Sequence, residues 1–280
     1  MKTSIFGSTG FVGGRYCTLF PDEVIKIHKD QAEAETNEIL YLISTTDNYN
    51  VFSDPHLDLD VNLNLLVSTL KRNKNNDTVF NFVSSWFVYG DTDLPAKEDS
   101  ICNPKGFYSI TKRCAEQLLI SWCETFGIRY RIFRLANVYG VGDRGVGRKK
   151  NALLYLIDKM SKNEPIELYY NGYFIRDYIH VDDVCKTIHH LMRYAPHNTV
   201  VNIGSGQAYT FRHLISYAHK KLQSESEITA TPPPEFHRIV QVKDMYLDVS
   251  RIKSWGIETS KFIPIEQGLN EYIESLKHGK

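Results

Sequence analysis

The chain has 280 residues, enough to bury a sizeable core as one large domain or as a domain with an added lobe. Its 33 basic and 33 acidic side chains balance, which argues against a general nucleic-acid or membrane-surface binder. No apolar run is long enough to span a bilayer, and we expect no cleaved signal peptide, because a glycine-rich turn begins at residue 7. The five cysteines are scattered without CxxC or metal-finger spacing, so we expect reduced thiols, no metal site and a cytoplasmic protein.

Apolar runs alternate with helical patterns along the chain, which predicts an α/β fold with a doubly wound parallel sheet. The stretch from Asp30 to Glu38 is too short for the helix and third strand that a dinucleotide-binding sheet usually has there, so we expect a trimmed sheet edge. The predicted strands are Ser4–Phe6, Val24–His28, Ile39–Ser44, Val79–Ser84, Tyr130–Arg134 and Val200–Ile203. The predicted helices are Val12–Leu19, Asp60–Lys71, Tyr108–Phe126, Asn151–Lys162, Val181–Arg193, Thr210–Leu222 and Pro264–Leu276.

The turn after the first strand carries the motif GxxGxxG at residues 7–13. Glycines at these positions let the backbone turn tightly, approach a pyrophosphate and pack the helix on the sheet. The N-terminus of the following helix offers N–H groups and the positive end of its dipole to phosphates. The sequence therefore predicts a dinucleotide-binding turn made of Gly7, Ser8, Thr9, Gly10, Phe11, Val12 and Gly13.

Further motifs follow in a fixed order. They are DVN at 60–62, FVSSWFVYG at 82–90, YSITK at 108–112, RLANVYG at 134–140, RDYIHVDDV at 176–184, and Arg238 followed by DVS at 248–250 and WG at 255–256. In this order and spacing the chain resembles, over nearly its whole length, an extended short-chain dehydrogenase/reductase of the NAD-dependent epimerase/dehydratase type. The resemblance implies a Rossmann-type fold, NAD or NADP as cofactor, a nucleotide-diphosphate sugar as substrate and a homodimer. A role in the synthesis of a cell-surface polysaccharide is also implied by the resemblance to the family, and no residue of the chain points to it independently.

The resemblance also implies a division of the chain. Residues 1–140, joined by the returning segment 176–204, would form the dinucleotide-binding domain. Residues 141–175 and 205–280 would form a smaller substrate-binding lobe. In the implied homodimer, helices around Leu63–Leu70 and Ala115–Phe126 would pack against their mates as a four-helix bundle.

Three pairs fit the pattern YxxxK, namely Tyr108/Lys112, Tyr155/Lys159 and Tyr217/Lys221. Only the first pair follows the Ser-Ser…Val-Tyr-Gly strand end at the family's distance, and we interpret the other two as structural. Tyr108 and Lys112 lie one helical turn apart, so their side chains share a helix face. A nearby ammonium and the positive nicotinamide would lower the pKa of the tyrosine toward neutrality.

With such a pKa, Tyr108 could exchange a proton with a sugar hydroxyl while the nicotinamide exchanges a hydride at the same carbon. Ser85 stands five residues before Gly90, at the position of the family's catalytic Ser/Thr, and would hydrogen-bond the same oxygen. Ser84 is the neighbouring alternative. Either serine could instead cap local backbone at the strand end.

The two residues after Ser85 distinguish the reactions of the family. Sugar 4,6-dehydratases carry Asp-Glu there, because elimination of water needs an extra acid and base. Trp86 and Phe87 cannot transfer protons, the acid of the decarboxylating relatives is absent, and GDP-fucose synthase has a cysteine where Phe87 stands. These absences leave redox chemistry at one carbon. The resemblance implies that this carbon is C4, in a 4-epimerase or in a 4-keto-sugar reductase. Both rings could pack in the core or lie beside the sugar.

By resemblance to the UDP-galactose 4-epimerases, Asn137, Asn151, Arg176 and Arg238 correspond to contacts with substrate or phosphate. The planar guanidinium suits pairs of phosphate oxygens, although either arginine could form a surface salt bridge. The basic run at 148–150 could close over phosphates or lie solvated in a loop. A non-catalytic nucleotide-binding regulator and a reductase of a non-nucleotide substrate are more remote alternatives.

The sequence leaves the choice between NAD and NADP open. An acid at the end of the second strand would bind the adenosine ribose and favour NAD. Our alignment places His28 there, followed by Lys29, with Asp30 two residues late. Arg15 also lies near the glycine turn, and cations could accept a 2′-phosphate. The resemblance further places Asn62 at the cofactor.

Overall fold

A computed structural model describes residues 2–46, 48–143, 146–147 and 150–277. Its strands are β1 (Thr3–Phe6), β2 (Val24–Lys26), β3 (Glu38–Tyr41), β4 (Val79–Ser85), β5 (Arg129–Leu135), β6 (Asn137–Tyr139), β7 (Ile166–Tyr169), β8 (Ile175–Arg176), β9 (Tyr178–His180), β10 (Thr199–Ile203), β11 (Tyr209–Thr210) and β12 (Ile228–Thr231). Its α-helices are α1 (Phe11–Leu19), α2 (His56–Leu59), α3 (Leu65–Arg72), α4 (Phe107–Phe126), α5 (Ala152–Met160), α6 (Val181–Tyr194), α7 (Phe211–Leu222), α8 (Glu235–Val240), α9 (Ser250–Ser254) and α10 (Ile265–Lys277).

Six strands form a parallel sheet in the order β2–β1–β3–β4–β5–β10. The strand order reverses between β1 and β3, so the carboxyl ends of these two strands border the crevice where such sheets bind ligands. The prediction of a doubly wound parallel sheet is confirmed. The sheet ends at β2, and the described residues 27–37 contain no helix or strand, as expected for a trimmed edge.

Successive residues of the strands face opposite sides of the sheet, and helices cover both sides. Ile5 packs in a cluster with residues of α1 and α6, whereas its neighbour Phe6 packs in a cluster with residues of α3 and α4. A third cluster is made by α5, β7, α7 and α10. These residues belong mostly to the predicted substrate-binding lobe, whose boundaries stay a prediction.

Two differences from the predicted elements affect the binding crevice. The predicted strand Ile39–Ser44 ends already at Tyr41, and the residues after it leave the sheet to line a cavity. The predicted helix Asp60–Lys71 begins earlier, at His56, and passes through a π-helical turn over Asp60–Asn64. Such turns arise where a helix accommodates an extra residue, often near a functional site. The short elements β6–β9, β11, β12, α8 and α9 span too few residues for periodicity to reveal them.

All five cysteines are free thiols. Among the residues that the structure describes, no helix has the length and apolar character needed to cross a membrane. The same ranges contain no cluster of three or more His, Cys, Asp or Glu side chains placed to hold a metal ion.

The glycine turn gives a direct test of packing. A β-carbon added at Gly13 would lie 2.2 Å from the Gly7 carbonyl oxygen, whereas one added at Gly14 would meet nothing closer than 3.5 Å. We expect Gly13→Ala to lower the free energy of unfolding by about 1–3 kcal/mol, because backbone must move to admit the methyl group. Gly14→Ala, the matched control within the same helix, should be neutral or stabilising by up to about 1 kcal/mol. Denaturant unfolding measures both values, and equal stability of the two variants would contradict this packing.

Candidate active site

A cavity of about 750 Å³ opens at the carboxyl ends of the central strands. Its walls come from the glycine turn, from the ends of β3, β4 and β5, from the start of α4, and from β7, β8 and α8. Most of the predicted site residues lie on these walls, namely Gly7, Gly10, Phe11, Val12, Gly13, Ser85, Trp86, Phe87, Tyr108, Lys112, Asn137, Asn151 and Arg176. The predicted residues that do not line it are Ser8, Thr9, His28, Lys29, Asp30, Asn62 and Arg238.

The glycine turn has the geometry of a phosphate cradle. Gly7 adopts a left-handed backbone with φ of +86°, and the Gly10 N–H donates to the Gly7 carbonyl at 3.1 Å. Helix α1 begins immediately afterwards, and its first turn contains no acidic residue and no side-chain cap. The close approach of Gly13 to Gly7 leaves no room for a side chain. An anionic group fits here, because the helix dipole and its N–H groups point toward the cavity end of the turn.

Lys112 lies under the cavity, with 2% of its surface exposed. Its Nζ donates to the Val83 carbonyl at 2.8 Å and lies 4.2 Å from the centre of the Phe82 ring. Burial lowers the pKa of Lys112 to about 7, and the charge of Glu116 opposes part of that effect. The Lys112 ammonium therefore loses its proton at lower pH than an exposed lysine does.

Tyr108 precedes Lys112 by one turn of α4 and is 7% exposed. The Phe87 ring meets it edge to face, with centroids 5.7 Å apart. The end of β4 supplies the two candidate serines to the same wall. Ser84 is buried, whereas Ser85 is half-buried and accepts a long hydrogen bond from the Phe87 N–H at 3.4 Å. The greater exposure favours Ser85 as the serine that reaches a ligand.

Trp86 and Phe87 both line the cavity and both contact the apolar core. Their rings stack at 4.0 Å, and Trp86 is buried in the core cluster while also lining the cavity. The Arg176 guanidinium packs between Trp86 and Phe174, at 5.4 and 4.9 Å from the two ring centres. The wall beside Tyr108 is thus aromatic and carries no carboxylate at positions 86 and 87.

The two arginines predicted to bind phosphate occupy different surroundings. Arg176 is half-buried and donates to the carbonyls of Ile175 and Val242, each at 2.8 Å, and to the carbonyl of Lys243. Burial lowers its pKa from the usual value. Arg238 is exposed on α8 and lines a smaller neighbouring cavity of about 210 Å³, whose wall also includes Arg176. Both arginines therefore line the smaller cavity.

Both predicted asparagines make local hydrogen bonds at the cavity wall. Asn137 donates to the Asp177 carbonyl at 2.9 Å. Asn151 caps α5 by accepting from the Leu154 N–H at 3.4 Å, and its amide donates to Asp143 at 3.3 Å. Lys150 lies beside it on the cavity wall, whereas Arg148 and Lys149 of the basic run lie outside the described residues.

The residues considered for the choice of dinucleotide lie away from the cavity wall. His28, Lys29 and Asp30 are exposed, and His28 Nδ1 lies 3.3 Å from the Asp30 carboxylate. Arg15 forms a two-point ion pair with Asp182 of α6, at 2.5 and 2.7 Å. That pairing occupies the guanidinium, so Arg15 is a weaker candidate for a 2′-phosphate than the sequence suggested.

Asn62 does not line the cavity but hydrogen-bonds to residues that do. The π-helical turn places it where its amide donates to the hydroxyls of Thr45 and Thr111 at 2.8 and 3.0 Å. Its oxygen accepts from the Ser44 hydroxyl at 2.9 Å and the Thr45 N–H at 3.0 Å. Ser44 and Thr45 line the cavity, so Asn62 positions a wall segment that sequence reasoning did not identify.

The side chains of the distal walls carry no motif in the sequence. Tyr169, Phe174, Phe211 and His237 line the cavity, and they come from β7, α7, α8 and the loop before β8. No regular spacing links these residues in the sequence. An aromatic residue on a short element is usually a core residue, and only the tertiary structure shows that these four line one cavity.

The family model for the "NAD dependent epimerase/dehydratase family" matches residues 44–204. The "Putative UDP-glucose 4-epimerase" of Methanocaldococcus jannaschii is 28% identical over 232 residues, which cover 82% of this chain and 73% of that protein. The "GDP-6-deoxy-D-mannose reductase" of Pseudomonas aeruginosa is 28% identical over 235 residues, which cover 78% of this chain and 72% of that protein.

Among solved structures, the UDP-glucose 4-epimerase of Thermus thermophilus in complex with NAD has the same fold. Its TM-score is 0.87 at 18% identity, and the alignment covers 100% of both chains. The matched residues 44–204 make up more than half of the chain and include the strand end at Ser85 and the Tyr108/Lys112 pair. The chain belongs to the NAD-dependent epimerase/dehydratase family.

Proposed function

We propose that this protein is an NAD(P)-dependent enzyme that transfers a hydride to and from C4 of a nucleotide-activated sugar, with Tyr108 as the acid/base. The observation that carries the proposal is the meeting of three features in one cavity. These are a glycine turn at a helix N-terminus, Tyr108 one turn before the buried Lys112, and Ser85 at the end of β4.

The residues present fit a dinucleotide, because the start of α1 lines the cavity through Gly10, Phe11 and Val12 and has neither an acidic residue in its first turn nor a side-chain cap. A bound nicotinamide supplies the hydride acceptor and donor. Tyr108 would take the proton of the sugar hydroxyl as the hydride leaves its carbon, and return it in the reverse step. The Lys112 ammonium would favour the phenolate of Tyr108, and Ser85 would hydrogen-bond and orient the same sugar oxygen.

A 4-epimerase is the preferred reaction, supported by the similarity to the M. jannaschii protein across most of both chains. Reduction of a 4-keto sugar is the second candidate. The similarity to the P. aeruginosa reductase supports it, and so does the exposed His28–Lys29 pair near the edge strand, where NADP would place a 2′-phosphate. Trp86 and Phe87 supply no acid or base beside Tyr108, which argues against 4,6-dehydration.

The tyrosine gives the first test. We expect Tyr108→Phe to lower kcat by about 10²- to 10⁴-fold, because the proton then has no acceptor at the reacting oxygen. Dinucleotide binding should persist, since the glycine turn is unchanged. The measurement is turnover on a panel of UDP-, GDP-, CDP- and dTDP-hexoses.

Tyr217→Phe is the matched control, because Tyr217 belongs to a second YxxxK pair and donates to Asn270 at 3.0 Å on α7. It should leave kcat unchanged. A Tyr108→Phe protein with full biological activity would favour the non-catalytic regulator instead.

The resident cofactor separates the two reactions. We expect mass spectrometry of small molecules released from the denatured protein to find NAD⁺, because an epimerase regenerates its cofactor and need not release it. An empty site with tighter binding of NADPH than of NADH would overturn the epimerase in favour of the ketoreductase.

We also propose a homodimer, with α3 and α4 packing against the same helices of a second copy. Val67, Ile110 and Leu118 are exposed apolar residues on these two helices. The five free cysteines suit a reducing compartment, and we propose the cytoplasm.

The dimer predicts that Leu118→Asp yields a monomer, because a carboxylate would be buried in the bundle without a partner. Leu118 is 43% exposed in the single chain, so the variant should still fold. Ile239→Asp, at a residue 62% exposed on α8, is the control that should remain dimeric. Light scattering at micromolar concentration gives both masses, and a monomeric wild-type protein would contradict the dimer.

A further inference from the structure

Helix α4 carries three buried polar residues at intervals of four, Tyr108, Lys112 and Glu116. This spacing places them on successive turns of one helix face. Glu116 is fully buried and lies one helical turn beyond Lys112, which lines the cavity. A carboxylate at such depth needs strong partners, because burial of an unpaired charge is strongly unfavourable.

Glu116 has two guanidinium partners. Arg134 of β5 holds both carboxylate oxygens, with Nε–Oε1 at 3.0 Å and Nη2–Oε2 at 2.8 Å. Arg113 adds a third contact at 2.7 Å from the surface side of α4. Burial would raise the pKa of Glu116, but the hydrogen bonds and charge of Arg134 outweigh it and hold that pKa below its usual range. Glu116 is therefore ionised at neutral pH.

Arg134 is itself fixed in the sheet. Its guanidinium lies 4.7 Å from the Tyr89 ring centre and donates to the Glu98 carbonyl at 3.2 Å. The ion pair consequently joins α4 to β5, the neighbour of the strand that ends at Ser85. The register of α4 against this end of the sheet decides where Tyr108 and Lys112 stand relative to that serine.

Lys112 meets few groups that could hold its charge. From β4 it meets the Val83 carbonyl and the Phe82 ring, and on its own helix the titratable groups of its face are Tyr108 and Glu116. Glu116 is the carboxylate that raises the pKa of Lys112, against the larger lowering by burial. Loss of this charge would leave the ammonium with uncharged partners, the Val83 carbonyl and the Phe82 ring.

We infer that Glu116 is a positioning residue for the reaction, which fixes α4 against β5 through Arg134 and keeps the Lys112 side chain charged beneath Tyr108. The inference rests on the proposed function for its catalytic consequence. A purely structural Glu116 would contribute to stability alone. The two roles predict different effects on the titration of Lys112 when either the charge or the length of the Glu116 side chain is changed.

Two variants separate charge from shape. Glu116→Gln keeps the length and one acceptor for Arg134 but removes the charge, whereas Glu116→Asp keeps the charge and shortens the side chain. Without the carboxylate the pKa of Lys112 falls, so the ammonium is lost at lower pH. We expect the alkaline limb of kcat to move to lower pH by at least about half a unit in Glu116→Gln, with little change of KM. In Glu116→Asp the limb should stay in place, even if Tm falls.

A ¹³C NMR titration of protein labelled at the lysine ε-carbons measures the same shift without substrate, with the Lys112 signal assigned by its loss in Lys112→Met. If Glu116→Gln does not fold, the double variant Glu116→Gln/Arg134→Met removes the more deeply buried of the two guanidiniums that the lost charge leaves unpaired. Arg113, the other one, is partly exposed to water, so the double variant gives the same readout. Coincident Lys112 titrations in wild type and Glu116→Gln would overturn the inference, and so would equal shifts in the Gln and Asp variants. A shifted titration in a protein that turns over no nucleotide sugar would instead overturn the proposed function.

Discussion

A buried ion pair between Glu116 and Arg134 is the constraint on which the arrangement of the site depends. Both side chains are almost completely buried, so leaving either charge without its partner would be strongly destabilising. The pairing couples α4 to β5 in addition to the apolar contacts between α4 and the sheet, and apolar contacts alone tolerate small slides of a helix. A two-point guanidinium–carboxylate contact tolerates far less. It thereby fixes the face of α4 that bears Tyr108 and Lys112.

The cavity lies between the parallel sheet and a group of short elements that pack around a separate apolar cluster. One side is the parallel sheet, whose strand ends and glycine turn are held by backbone hydrogen bonds and by the close contact of Gly13 with Gly7. The other side comes from short elements after Tyr139, packed around their own apolar cluster. Rigid strand ends suit a cofactor that many proteins share, whereas short elements can vary in shape with the substrate. The residues proposed for the chemistry lie on the sheet side, whereas the short elements of the other side would determine which sugar binds.

Several predicted site residues are engaged by the protein itself. The donors of Arg176 bind three backbone carbonyls, Asn151 caps a helix and Arg15 pairs with Asp182. These contacts hold the segment at 242–243, the start of α5 and the contact between α1 and α6. A motif residue can thus shape a site by fixing its walls, as Asn62 does for Ser44 and Thr45.

The sequence by itself determined the features that depend on local spacing. The six strands, the glycine turn and the Tyr108/Lys112 pair follow from residues a few positions apart, whose geometry a turn or a helix imposes. Only the tertiary structure decided the rest, including the pairing of Glu116 with Arg134, the aromatic residues that line the distal walls, and the exposure of Arg238. Contacts between distant segments are fixed by packing and by the cost of burying unpaired charge, and neither leaves a regular interval in the sequence.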